Sequence, residues 1–63
     1  MQQSTFELNG FTVQIDKLDG SYMASIYRQG VYMDGQDGFV SYESAVAWAT
    51  HEIEGLDIQV LHS

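Results

Sequence analysis

Sixty-three residues are enough for one domain, but a chain this short buries only ~60% of its unfolded surface. It contains no cysteine, which rules out a disulfide or a thiolate zinc site as a supplement to that core. Nine acids against two bases, Lys17 and Arg28, give a formal net charge of −7 at pH 7; two cations cannot make the basic face that nucleic acid requires, and anionic membrane is disfavoured for the same reason.

Taken in order, Met1 to Ser4 is polar and lacks the basic and apolar regions of a signal peptide. Nor does any apolar run approach the roughly 20 residues of a membrane helix, so the expected setting is the cytoplasm. Thr5-Phe6-Glu7-Leu8 alternates and predicts a short strand with Phe6 and Leu8 on one face. Asn9-Gly10 is a hairpin signal, because both residues tolerate positive φ. Phe11 to Leu18 is the cleanest strand in the sequence, with Phe11, Val13 and Ile15 facing one way and Thr12, Gln14 and Asp16 the other.

Asp19-Gly20 repeats the hairpin signal and leads into Ser21 to Arg28. Tyr22, Ala24 and Ile26 share one face of that strand, and Met23, Ser25 and Tyr27 the other. Gln29-Gly30 turns the chain again into a short strand, Val31-Tyr32-Met33. Tight hairpins join antiparallel neighbours, so a meander is the economical topology. Asp34 to Gly38, with two glycines and two acids, reads as a flexible acidic turn. Phe39-Val40 reads as a half-strand delivering the chain to a helix.

Ser41 is a good N-cap for that helix, and Glu43 sits where the helix dipole favours negative charge. At about 100° per residue Tyr42, Ala45, Val46, Ala49 and Ile53 form one stripe with Trp48 on its flank. Gly55 is a natural terminator after Glu54. Beyond it, Leu56 to Leu61 alternates and predicts either a last strand or an extended tail. The expected fold is therefore α+β, a single domain over 1–63: an antiparallel sheet of three to five strands, one face covered by a helix at about 42–54, the other face open.

No catalytic or metal motif emerges. Counted from Asp34 as position 1, a calcium loop would need oxygen donors at positions now held by Gln36 and Gly38 and a glutamate where Ala45 stands. His51 falls on the outward face of the helix and His62 near the end of the chain, neither with a second ligand at helical metal spacing. Ser44 and His51 lie two turns apart, too far for a hydroxyl and its base to touch. We therefore expect no enzyme, no cofactor and no metal.

Two features point towards binding. Alternation places Tyr27 with Met23 away from the buried face, so that Tyr27 and Tyr32 belong either to an exposed contact patch or, if the strand phase differs, to the core. The acids either serve solubility alone or steer a basic partner. Asp16, Asp19, Asp34 and Asp37 fall in or beside turns and could gather at one end of the sheet. The candidate partner-binding residues are accordingly Asp16, Asp19, Tyr27, Tyr32, Asp34, Asp37 and Glu43.

Two resemblances bear on function. The pattern Tyr22-x-Ala24-x-Ile26, followed by Ser41-x-Glu43-x-Ala45, Ala49 and Ile53, resembles the sheet-plus-helix half of HicB-type antitoxins, which implies a protein that neutralises a small basic RNase. The family's proline-rich turn has no counterpart in this proline-free chain. As a type, a very short, acidic, cysteine-free domain is also similar to phage-encoded inhibitors of host defence, anti-CRISPR proteins among them. That likeness implies a non-enzymatic inhibitor in the host cytoplasm whose acidic surface blocks a basic, nucleic-acid-binding surface, such as that of a CRISPR effector. A homodimeric assembly protein that pairs through its open sheet face is the third expectation.

Overall fold

The computed structural model describes residues 2–62, with side chains over 3–56. Four strands, β1 (Gln2–Leu8), β2 (Phe11–Leu18), β3 (Ser21–Arg28) and β4 (Val31–Phe39), precede one helix, α1 (Tyr42–His62). The strands form an antiparallel sheet in the order β1-β2-β3-β4, the expected meander. Each hairpin closes on two residues of positive φ. Asn9, Asp19 and Gln29 sit at 52°, 53° and 51°, each followed by a glycine near 80°. This turn twists with the same hand as the strands it joins, so the chain reverses without splaying them.

The sheet's apolar face is built as alternation requires. Phe11, Val13 and Ile15 of β2 and Ala24 and Ile26 of β3 are buried against Ala45, Ala49 and Ile53 of α1. Phe6, Leu8, Tyr22, Phe39, Val46, Trp48 and Leu56 pack around that centre. The small Ala45 and Ala49 let the helix approach closely over the larger strand residues. Phe39 and Trp48 meet with ring centroids 5.8 Å apart. Tyr42 is an exception to the expected stripe: at the first helical position it stays 38% accessible, edge-on to Tyr22 at 6.3 Å and with its hydroxyl 3.1 Å from Ser4 Oγ of β1.

The helix begins as Ser41 dictates. The Ser44 amide donates to Ser41 Oγ at 3.1 Å, and the Ala45 amide donates to the Ser41 carbonyl at 3.3 Å. Its end differs from expectation, since α1 runs through Gly55 to His62 and Leu56 to Leu61 is helix, not a strand or tail. Gly55 lacks the positive φ of a helix terminator. Leu56, three residues beyond Ile53, falls on the same helical face and packs against the core, and that tertiary contact outweighs the ~1 kcal/mol that glycine costs a helix.

Two further corrections concern the strands. β1 starts at Gln2, three residues before Thr5, because each of its residues finds a partner on β2. β4 does not stop at Met33; the stretch expected to be a flexible turn, Asp34 to Gly38, is strand paired to β3. Two register shifts absorb its awkward residues. Ile26 faces Asp34 while Tyr27 faces Tyr32, and Tyr22 faces Phe39 while Ala24 faces Gln36, so β4 carries one extra residue at each shift. The second holds Gly38 at φ 83°, the left-handed conformation a bulge of this kind uses. Asp34 Oδ1 accepts from the neighbouring Gly35 amide at 2.8 Å, supplying a local acceptor beside the first.

Candidate functional site

Helix α1 packs on β2, β3 and β4 from one side only, so the opposite face of the sheet stays open. Strand register orders that face into three rows. The first runs Glu7–Thr12–Tyr27–Tyr32, the second Thr5–Gln14–Ser25–Gly35, and the third Gln3–Asp16–Met23. The β4 bulge brings Asp37 alongside the third row, where it shares one groove with Gln3, Asp16, Leu18 and Met23. The groove, about 650 Å³, reaches round the end of the sheet to Lys17, Ser21, Tyr22 and Gly38.

Two chemistries meet there. Leu18 and Met23 are exposed apolar side chains, 60% and 39% accessible, and supply a hydrophobic floor. Asp16 and Asp37 supply charge from strands on either side of β3, which puts their backbones about 10 Å apart, two strand spacings. Asp16 is oriented by Gln14, whose Nε2 donates to its Oδ2 at 3.2 Å. Lys17 Nζ lies 5.6 Å from the centre of the Tyr22 ring, the geometry of a cation–π contact. With two acids and one base the lining keeps an anionic balance, and Asp19 adds charge from the adjoining β2–β3 turn.

At the other end of the open face Tyr27 and Tyr32 form an edge-to-face pair, centroids 5.8 Å apart at 75°. Neither belongs to the core cluster, which decides the strand phase in favour of the outward reading. Tyr32 also leans over Gly35: a Cβ built there would stand 2.5 Å from Tyr32 Oη. The ring thus covers a bare stretch of edge strand, and a glycine in a strand is otherwise a weak point.

Of the seven residues picked from the sequence, Asp16 and Asp37 share the groove and Tyr27 and Tyr32 share the aromatic pair. Asp19 stands in the turn beside the groove. Asp34 is half-buried within β4 and bonded to its own strand, and Glu43 lies on the first turn of α1, away from the groove lining. Asp34 and Asp37 are strand residues, not turn residues as expected. Gln3 and Leu18 were missed as groove residues. Gln3 enters only because β1 extends towards the N-terminus, whereas alternation from Asp16 already signalled Leu18's face.

The hydroxyl of Ser44 meets Ser41 Oγ at 2.9 Å within the helix cap, a structural use for that serine. His51 is exposed, as the helical phase predicts; the side chains of Asp57 and His62 lie outside the described residues. Among the described residues, no group of three or more His, Cys, Asp or Glu side chains could hold a metal ion. No helix there is long and apolar enough to cross a membrane. Compared with known proteins, the chain matches no family model, no curated protein and no solved structure.

Proposed function

We propose that this protein is a non-enzymatic inhibitory binding module, whose acidic open face covers a basic, nucleic-acid-binding surface of a defence complex in the manner of an anti-CRISPR protein. One observation carries the reading: Asp16 and Asp37, distant in sequence, flank an apolar floor of Met23 and Leu18 in a single groove. An arginine or lysine side chain has a long apolar stem and a charged head. Laid along Met23, its stem covers exposed hydrophobic surface while its head reaches one or both carboxylates. The Tyr27–Tyr32 pair offers further contact area of the sort enriched at protein interfaces. Lys17 and Arg28 stand at opposite ends of the sheet, each over an aromatic ring, which fits a protein partner better than a phosphate backbone.

The experiment is capture from a bacterial lysate on the immobilised chain, at low and high salt, with the retained proteins identified by mass spectrometry. A basic nucleic-acid-binding protein, released by salt and lost when Asp16→Asn and Asp37→Asn are combined, is the expected result. Equal capture by the double variant would remove the groove from the contact. A small basic RNase as the retained protein would turn the reading towards antitoxin action.

A further inference from the structure

The two edges of the sheet are built differently. β4 is broken by two register shifts, contains Gly35 and Gly38 and carries Asp34 and Asp37, all devices that stop an edge from recruiting another strand. β1 lacks the register shifts and the glycines and carries a single carboxylate. Its seven residues pair with β2 in one unbroken register, without glycine, proline or lysine, and Glu7 is its only charge. The two-residue turn at Asn9-Gly10 makes Leu8 and Phe11 the closing pair, which in such hairpins exchanges both hydrogen bonds. Because bonded and non-bonded pairs alternate, the main-chain groups of Leu8, Phe6 and Ser4 turn towards β2. Those of Gln3, Thr5 and Glu7 face outward.

We infer that β1 is a dimerisation edge: a second copy of this chain pairs its β1 antiparallel to the first, centred on Thr5, to give a continuous eight-stranded sheet. The strand is self-complementary in that register. Thr5 faces its own copy and exchanges two main-chain bonds with it. Gln3 faces Glu7 of the second copy, twice by symmetry, so the strand's one carboxylate meets an amide donor and not its own like. Two chains of net charge −7 repel wherever acids meet, and this edge sets no acid directly opposite another. On the helix side Phe6, half-buried at the rim of the core, comes diagonally opposite Phe6 of the second copy, within reach of an aromatic contact.

The pairing also completes the groove. Gln3 lines it, so Glu7 of the second copy stands on the far side of Gln3 from Asp16 and adds a third carboxylate to the row. That consequence rests on the function proposed above; the pairing itself does not.

Sedimentation of the full chain tests it, with circular dichroism to confirm that each variant folds. Wild type is expected to show a monomer–dimer equilibrium below ~1 mM. Because salt screens the repulsion between the copies, dimerisation should strengthen with salt, opposite in sign to capture of a cationic partner. Thr5→Pro removes an outward donor that β2 does not use and should leave a folded monomer. Gln3→Glu sets like charges opposite each other and should weaken the dimer about tenfold; adding Glu7→Lys should restore it. If Thr5→Pro does not fold, the Gln3 and Glu7 series decides alone. A monomer at every concentration and salt would overturn the inference, as would a dimer that survives in folded Thr5→Pro or a Gln3→Glu defect that Glu7→Lys fails to rescue.

Discussion

The same four strands make two faces whose side chains differ as alternation allows, and only one is sealed. On the covered face β2 and β3 present Phe11, Val13, Ile15, Ala24 and Ile26, all buried beneath the helix. On the open face the same strands present Thr12, Gln14, Asp16, Met23, Ser25 and Tyr27, of which Ser25 alone is buried. The first set gains from leaving water and makes the fold. The second is too apolar at Met23 and Tyr27 for a merely solvated surface, and too polar at Asp16 for a second core. A sheet face of mixed character, neither covered nor plainly hydrophilic, is where binding is to be sought. No buried side-chain nitrogen or oxygen lacks a hydrogen-bond partner among the described residues, so the open face does not arise from a defect in the interior.

Substitutions sharpen the contrast. The largest effect is expected at Ile26, fully buried under the helix. Ile26→Ala removes a branched side chain from the packed interior and should cost ~2–5 kcal/mol in denaturant unfolding. A loss below ~1 kcal/mol would mean that the helix does not seal this face. On the open side Gly35→Ala should cost about 1–2 kcal/mol. Its Cβ would displace the Tyr32 hydroxyl and crowd the Ala24 carbonyl, 3.1 Å away. Displacement of the Tyr32 ring from Tyr27, visible in the tyrosine NMR shifts, is the accompanying sign.

Ser41→Ala tests how firmly the covering layer is anchored. It deletes the oxygen that accepts from the Ser44 amide and should lower stability by ~1 kcal/mol. The smallest effect has the opposite sign. Gly55 is helical with nothing within 4 Å of an added Cβ, so Gly55→Ala should stabilise by ~0.5–1 kcal/mol. Destabilisation there would mean that the helix ends at Gly55 after all.

How much of this was legible beforehand depended on whether the signal was local. The faces of β2 and β3, the three turns and the helix start rest on patterns of two to four residues, and each stands where the sequence placed it. The outward placement of Tyr27 follows from alternation alone. Asp34 to Gly38 was not legible, because Gly and Asp are poor strand formers and their extension depends on β3 supplying partners while bulges take up the excess residues. The helix beyond Gly55 hid for a related reason: Leu56 to Leu61 alternates like a strand, and the contact of Leu56 with the core is invisible in one dimension. Half of the groove was equally hidden, since Asp37 comes to line it with Asp16 only because a bulge shifts β4 by one residue.

The sequence by itself determined the meander, its buried stripe, the helix cap and the anionic balance. Those properties arise from alternation, turn chemistry and charge, which act between near neighbours or need no geometry at all. Tertiary structure decided where the helix stops, that an acidic stretch becomes an edge strand, and which carboxylates share a groove. Each of these depends on what a distant strand offers in hydrogen bonds and apolar cover, and such terms outweigh local propensities of about 1 kcal/mol per residue.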